Sequence, residues 1–466
     1  MTAIINIIKI ISMSTVYENQ LNNWIKQEKS AVSLLNSVGT LMYDKGIELI
    51  LFRNQLLEIG VSELMNLVSY ANKIVERNVE IETAAQLAKV MLNMDLAPSK
   101  IDIGLLTAEY LEDNNSDYIT FLNTKLEQII KADNTTLEPR DVVLYGFGRI
   151  GRLAARELIK QAGKGQQLRL KGIVIRKLND AQIIKRADLL RNDSVHGNFK
   201  GVVDVDLNNN SIIVNGQVIR FINGDDPEKI DYTKYGINDA LLIDNTGAFT
   251  DKESLSRHLE AKGINKVLLT APGKGIPNLV YGINSKELDV DNIHIFSAAS
   301  CTTNCIAPIL YLIENKYGVK KGHLETVHSY TNDQNLLDNM HRKPRRGRSA
   351  AINMVITTTG AGNAVSKVIP SLAGKLTANA VRVPTPNVSL AILKLSLSKT
   401  TSDEDINNTL REAALRGNLV NQIDYQVEPD LVSTDIIGNS CCSVFDSRAT
   451  IVHANKEDVV LYTWYD

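Results

Sequence analysis

The residues best suited to chemistry are Ser300-Cys301-Thr302-Thr303-Asn304-Cys305. An alternating apolar run from Ile293 to Phe296 and a few small residues precede them, and Ile306-Ala307-Pro308-Ile309-Leu310 follow, which predicts a strand, a tight turn and a helix start. Cys301 then stands at a helix N-terminus, where unpaired N–H groups and the helix dipole favour the thiolate, the nucleophilic form of cysteine. A thiol also needs a base. Val327-His328-Ser329-Tyr330, in the next strand-like segment, offers an imidazole that can hold the thiol proton and later protonate a leaving oxygen. A lone cysteine is more often a small buried hydrophobe, so the surrounding residues must decide.

Those surroundings are anion-binding in kind. The segment from Tyr330 to Arg348 is polar and ends in His341-Arg342-Lys343-Pro344-Arg345-Arg346-Gly347-Arg348. Basic clusters often bind nucleic acid, but the net charge is only -2 and no aromatic residue interrupts this one, which favours a small anion. Thr357-Thr358-Thr359-Gly360 and Arg382 add hydroxyls, amides and a guanidinium of the type that holds phosphate.

A second motif lies upstream. The apolar run Val142-Val143-Leu144-Tyr145 leads directly into Gly146-Phe147-Gly148-Arg149-Ile150-Gly151 and a helical pattern through Lys160, with a further strand expected from Gly172 to Ile175. Between strand and helix, Gly-x-Gly-x-x-Gly has a physical meaning: one glycine for the turn, one for close approach of a pyrophosphate, one for helix–strand packing. Strands expected at Leu241-Leu242-Ile243 and Val267-Leu268-Leu269 each end in small polar residues, Asn245-Thr246-Gly247 and Thr270-Ala271-Pro272-Gly273, at the carboxyl ends where parallel sheets bind ligands.

Composition sets the frame for these elements. A chain of 466 residues with 44% hydrophobic and 22% charged residues is long enough for two or three globular domains. Four cysteines, Cys301, Cys305, Cys441 and Cys442, make a poor disulfide framework and fit a reducing compartment; a zinc site on Cys301 and Cys305 lacks a second close cysteine pair. Cys441 and Cys442 are expected to be structural. The apolar run Ile4 to Ile11 is too short to span a bilayer and has no clear cleavage site, and Met13 is an alternative start.

From Ser14 to Asn134 the pattern is helical with almost no strand signal. One stripe is Leu64, Leu67, Val68, Ala71, Ile74 and Val75; a second is Leu87, Val90, Met91 and Met94, opened by a capping-box pattern from Thr83 to Gln86. No cluster of Asp, His or Cys there implies chemistry, and Lys131 to Thr136 is expected to be a polar linker.

With these residues in hand, the part from about 139 to 466 resembles the phosphorylating glyceraldehyde-3-phosphate dehydrogenases. The likeness is carried by Tyr145 to Arg152, Asp193-Ser194-Val195-His196-Gly197, Ser297 to Cys305, Val327 to Gln334, Thr358-Thr359-Gly360-Ala361 and Val381-Arg382-Val383-Pro384-Thr385, in the family's order. The resemblance implies an α/β Rossmann-type nucleotide-binding domain at 139–300 and an α+β catalytic domain at 301–466, here preceded by an all-α extension at 1–135. It implies oxidation and phosphorylation of glyceraldehyde 3-phosphate to 1,3-bisphosphoglycerate. The aldehyde would become a thiohemiacetal and then a thioester on Cys301, with His328 as base. Substrate phosphate maps onto Thr331, Asp333 and Arg382, and inorganic phosphate onto Ser300, Thr302, Thr359, Gly360 and Arg346. The cofactor, NAD or NADP, maps onto Gly146 to Gly151, Arg176, Lys177, Thr246, Gly247 and Thr270. A cytoplasmic homotetramer is expected, with no metal, membrane or specific nucleic-acid partner.

Two departures stand out. Where most members end the second strand with Asn-Asp, whose carboxylate binds the adenosine ribose, this chain has Arg176-Lys177, with Asn179-Asp180 nearby; Asn339-Met340 also stands where NAD-preferring relatives often carry Leu-Pro. NADP acceptance is therefore expected. Family members also continue past Trp464-Tyr465-Asp466 into a final helix, so on the family pattern a truncated end with weakened stability and cofactor affinity is expected. Tyr330-Thr331-Asn332-Asp333 favours the triose over erythrose 4-phosphate. The rival readings are a dehydrogenase of another sugar phosphate, or a non-catalytic binding or regulatory protein on this scaffold.

Overall fold

The computed structural model describes residues 2–75, 78–113, 117–132, 138–160 and 168–466, with backbone only for 2–14, 74 and 75. Two compact units are present, one formed by Met1–Pro139, the other by Arg140–Ala162 with Leu168–Asp466. The expected boundary at 135 falls among residues 133–137, outside the described ones, as does most of the expected linker.

The first unit is built on a helix spanning Thr2–Lys45. From residue 31 onward it buries Ala31, Leu34, Val38, Leu41 and Met42, the three-and-four spacing of one helix face. Gly46, at φ +71, ends it in the left-handed conformation that costs glycine least. The chain then forms a three-stranded sheet of Asn54–Gln55, Ile47–Leu51 and Ser99–Asp102, in that spatial order, so the extension is helical around a small sheet rather than all-α. Ile47 to Leu51 continues the apolar composition of the preceding helix, and a run of this length does not distinguish strand from helix. The expected capping box at Thr83 is likewise absent: the helix Ile81–Met91 begins earlier, and Thr83 lies buried within its first turn.

In the second unit, the strand Arg140–Tyr145 is the hinge of an eight-stranded sheet. Leu168–Ile175 pairs with it on one side and Ala240–Asp244 on the other, both parallel, so strand order reverses across it. Five of its six residues are buried, as expected of a strand covered on both faces. One face packs Ala155, Leu158, Ile159, Ile183, Ala187 and Leu190 from the helices Arg149–Lys160 and Asp180–Arg191; the other packs Tyr232, Leu255 and Ala261.

The strand Ile295–Ser297 closes that sheet at one edge, and the chain passes at once into the helix Cys301–Tyr317. This helix buries Cys305, Ile306, Ile309, Leu310 and Ile313 completely. A second, mixed sheet has the long strand Val319–Ser329 between Leu376–Val383, parallel, and Ser389–Leu397, antiparallel, with Asp458–Tyr465 beyond. Pro308 removes the amide that would bond the Asn304 carbonyl, and the Cys442 thiol donates to that carbonyl at 3.2 Å, a structural use of this cysteine.

Candidate functional site

The glycine turn follows the middle strand of the first sheet. Gly146 takes φ +93, and a Cβ there would lie 2.8 Å from Thr246 Cγ2. At Gly151 a Cβ would meet the Gly146 carbonyl oxygen at 2.4 Å, so only glycine lets helix and strand approach this closely. Gly148 differs: nothing lies within 4 Å of its would-be Cβ. That open side is what a pyrophosphate approaching the backbone at a helix N-terminus requires, so the residues present fit a dinucleotide. Phe147 turns inward against Phe221 and can face a ligand only through its backbone; Ile150 is exposed.

Across the switch point, the Asn245 amide donates to the Tyr145 carbonyl at 2.9 Å, which sets Thr246 and Gly247, both exposed, beside Gly146. Thr270 is already engaged, its hydroxyl donating to the Asp244 carbonyl at 2.9 Å. Arg176 and Lys177 directly follow the second strand and are exposed. Asn179 caps the next helix by accepting from the Gln182 amide, which puts Asp180 in that helix's first turn.

Cys301 is the first residue of its helix, as expected. Ser300 is the N-cap and accepts from the Thr303 amide at 3.0 Å. Ala299 before it has φ 59, a left-handed conformation in a residue with a Cβ, and this turns the chain sharply from strand to helix. Cys301 Sγ stands 3.8 Å from His328 Nε2. His328 Nδ1 is 2.7 Å from the Ser329 carbonyl, which only accepts, so Nδ1 carries the proton and Nε2 presents its lone pair to the thiol.

The electrostatics depart from the expected thiolate. Cys301 is solvent-accessible as a residue, yet the protein packed around its sulfur pushes the thiol above its ordinary value. Hydrogen bonds from Thr302 and the charge of Arg382 pull the other way without prevailing. His328 is lowered to about 4, first by burial and then by Arg382. Both shifts favour the uncharged forms, a thiol beside an imidazole whose Nε2 can accept.

The cationic groups gather around this pair. Arg382 lies opposite His328 in the strand register, and its Nη1 donates to the Ser329 carbonyl at 2.9 Å and to Thr331 Oγ1 at 3.2 Å. Its Nε is buried without a partner among the described residues, a donor left for a ligand. Asp333 accepts from Thr331 and pairs with Arg346, whose Nε reaches Thr357 Oγ1 at 3.3 Å. Arg346, from the residues expected to hold inorganic phosphate, is thus tied to those expected to hold the substrate phosphate. Thr359 accepts from the Ala361 amide, and Gly360 caps the helix Ala361–Val368 with open space where a side chain would be. Ser300, Thr303, Gly360, Asn363 and Pro272 line a cleft of about 130 Å³. Thr302 is committed elsewhere: its hydroxyl is 2.9 Å from that of Tyr465 and is buried.

Tyr465 was not anticipated. Its ring meets His328 edge-on at 5.9 Å, so it walls the base while holding Thr302. No local pattern marks it, because it arrives from a strand at the other end of the unit.

A sheet whose parallel central strands reverse order at a glycine turn, followed by a separate sheet carrying polar and basic residues, is the arrangement of a dinucleotide-binding oxidoreductase. The family model described as the glyceraldehyde 3-phosphate dehydrogenase NAD binding domain matches residues 140–252, and that of the family's C-terminal domain matches 300–466. The chain belongs to the glyceraldehyde-3-phosphate dehydrogenase family. It is 42% identical over 326 residues to glyceraldehyde-3-phosphate dehydrogenase 2 of Trichormus variabilis, covering 70% of this chain and 93% of that one. Likeness to glyceraldehyde-3-phosphate dehydrogenase 1 of Bacillus subtilis is 41% over 326 residues, covering 70% and 92%. A glyceraldehyde-3-phosphate dehydrogenase-like protein of Pseudomonas aeruginosa is 49% identical over 394 residues, 84% of this chain and 85% of that one. That alignment is longer than the second unit, so it extends into the first.

Proposed function

We propose that this protein oxidises and phosphorylates glyceraldehyde 3-phosphate to 1,3-bisphosphoglycerate, reversibly, through a thioester on Cys301. The observation that carries the reading is the 3.8 Å approach of Cys301 Sγ to an Nε2 that holds a free lone pair, beside Arg382 and Arg346. As sulfur bonds to the aldehyde carbon, the thiol proton passes to Nε2, and the resulting imidazolium with the Cys301 amide steadies the oxyanion. The imidazolium gives its proton to that oxygen, forming the thiohemiacetal hydroxyl, and His328, neutral again, takes the hydroxyl proton back as base while carbon is oxidised; the nicotinamide would supply the hydride acceptor when bound. Attack of inorganic phosphate on the thioester releases the acyl phosphate and restores the thiol. Arg382, Thr331 and Asp333 would orient the substrate phosphate, and Ser300, Thr359, Gly360 and Arg346 the attacking one.

Leu336, Leu337, Met340, Ile352 and Met354, each more than 70% exposed in the segment after His328, support burial against further copies in a homotetramer. A cytoplasmic location is part of the proposal; no helix among the described residues is long and apolar enough to cross a membrane. We assign residues 139–300 to the nucleotide domain and 301–466 to the catalytic one, with the extension before them. Cofactor reduction by purified protein, with and without inorganic phosphate, comparing glyceraldehyde 3-phosphate with erythrose 4-phosphate, tests the reading. Reduction that ignores phosphate, prefers the tetrose or does not occur would replace it with one of its rivals.

A further inference from the structure

Beneath the Asn245-Thr246-Gly247 turn lies a pair of titratable side chains that the proposed chemistry does not use. His258 and Asp244 are both 0% exposed, with Nε2 and Oδ2 2.9 Å apart. The other carboxylate oxygen of Asp244 accepts from the Thr246 amide at 2.8 Å and from its hydroxyl at 2.7 Å. Thr246 in turn packs its methyl over Gly146, where a Cβ would approach it to 2.8 Å. One carboxylate therefore connects His258 to the turn that faces the glycine motif.

We propose that His258 is a positioning residue for the cofactor, acting through Asp244 on Thr246; the inference rests on the cofactor site proposed above. Among the described residues the imidazole has one polar contact. Tyr145 and Phe249 flank it edge-on at 4.6 and 5.0 Å, and its Nδ1 has no partner among the described residues. This is a dry cage that aims a single Nε2–H at the carboxylate and admits no alternative donor. Without that donor, a fully buried carboxylate keeps an unpaired oxygen, which is costly enough to drive it to another rotamer. Rotation of Asp244 releases both bonds to Thr246, and the turn loses its fixed distance from Gly146. The chemical groups at Cys301 and His328 belong to other elements and are untouched.

The prediction is a separation of cofactor affinity from chemistry. Glutamine can place an N–H where Nε2 stands, whereas asparagine is too short and leucine has no donor. Fluorescence titration with NADH and NADPH, and initial rates with saturating cofactor, are compared for wild type, His258→Gln, His258→Asn and His258→Leu, each checked by thermal melting. The inference expects His258→Asn and His258→Leu to weaken cofactor binding at least tenfold, with kcat and the aldehyde KM within twofold, and His258→Gln to stay within threefold of wild type. If leucine is not folded, asparagine carries the comparison. Wild-type affinity in a folded donor-less variant, or equal loss in glutamine and asparagine, overturns it. A wild type that binds neither dinucleotide would overturn the cofactor reading itself and this inference with it.

Discussion

His328 and Arg382 share one acceptor: the Ser329 carbonyl takes the imidazole Nδ1–H at 2.7 Å and a guanidinium N–H at 2.9 Å. The bond to Nδ1 fixes the tautomer that leaves Nε2 open to Cys301. The guanidinium beside it opposes protonation of the same ring, so the group proposed to bind phosphate also tunes the base.

Arg382→Leu is expected to raise the KM for the phosphorylated aldehyde roughly ten- to hundredfold, the scale of a lost charge-assisted hydrogen bond. It also removes a cation that disfavours imidazolium and favours thiolate. The His328 titration followed by NMR should move upward from about 4, and the pH at which Cys301 is half-alkylated by iodoacetamide should move upward as well. Unchanged values for both groups would show that Arg382 does not act on the pair.

Cys301→Ser is expected to abolish turnover while dinucleotide binding persists, because a hydroxyl is a far weaker nucleophile than a thiolate near neutral pH. His328→Asn should lower the rate about a hundredfold or more, the usual scale for a general base. Full activity after stoichiometric alkylation of Cys301 would refute the thioester route.

Stability should also depend on His328. In the unfolded chain this imidazole protonates near 6.5, in the folded site only near about 4. Between these values the unfolded state binds more protons, so stability falls as pH falls through that window, by about 3 kcal/mol at the outside. Urea midpoints at pH 7.5 and 4.5 should differ less for His328→Asn than for wild type.

For cofactor choice, Lys177 and Arg176 are expected to let NADP serve at least comparably to NAD, since basic groups at the end of the second strand pair with a 2′-phosphate. Their exposure and the placement of Asp180 within a helix support this arrangement. Specificity constants for both cofactors should shift toward NAD in Lys177→Asp; a large NAD preference in wild type that the substitution leaves unchanged would rule the idea out.

The extension is expected to be dispensable for the chemical step. A chain beginning near Thr136 should remain soluble and retain kcat within a few-fold. Soluble protein with a collapsed rate would mean that the first unit completes the site or the assembly.

What the sequence made legible were positions where residue type encodes geometry. Gly146 and Gly151 meet two different steric demands, both foreseeable from a glycine motif set between a strand and a helix. Cys301 and His328 were found because a strand–turn–helix pattern and a strand place them near element ends. Less visible were relations that depend on distant elements meeting. Tyr465 reaches Thr302 from the far end of the unit, and His258 is paired with a strand residue it follows at no recognisable spacing. The thiol illustrates a further limit: the helix terminus was foreseeable, but the burial that outweighs it was a matter of packing. The Ile47–Leu51 strand was masked by a composition that suits helix and strand alike.

The contact that makes Gly151 indispensable has a thermodynamic consequence. With the Gly146 carbonyl only 2.4 Å from where a side chain would begin, the turn is braced between strand and helix before any ligand arrives. Association with a dinucleotide then orders little backbone, so the conformational entropy that flexible loops lose on binding is largely lost already during folding.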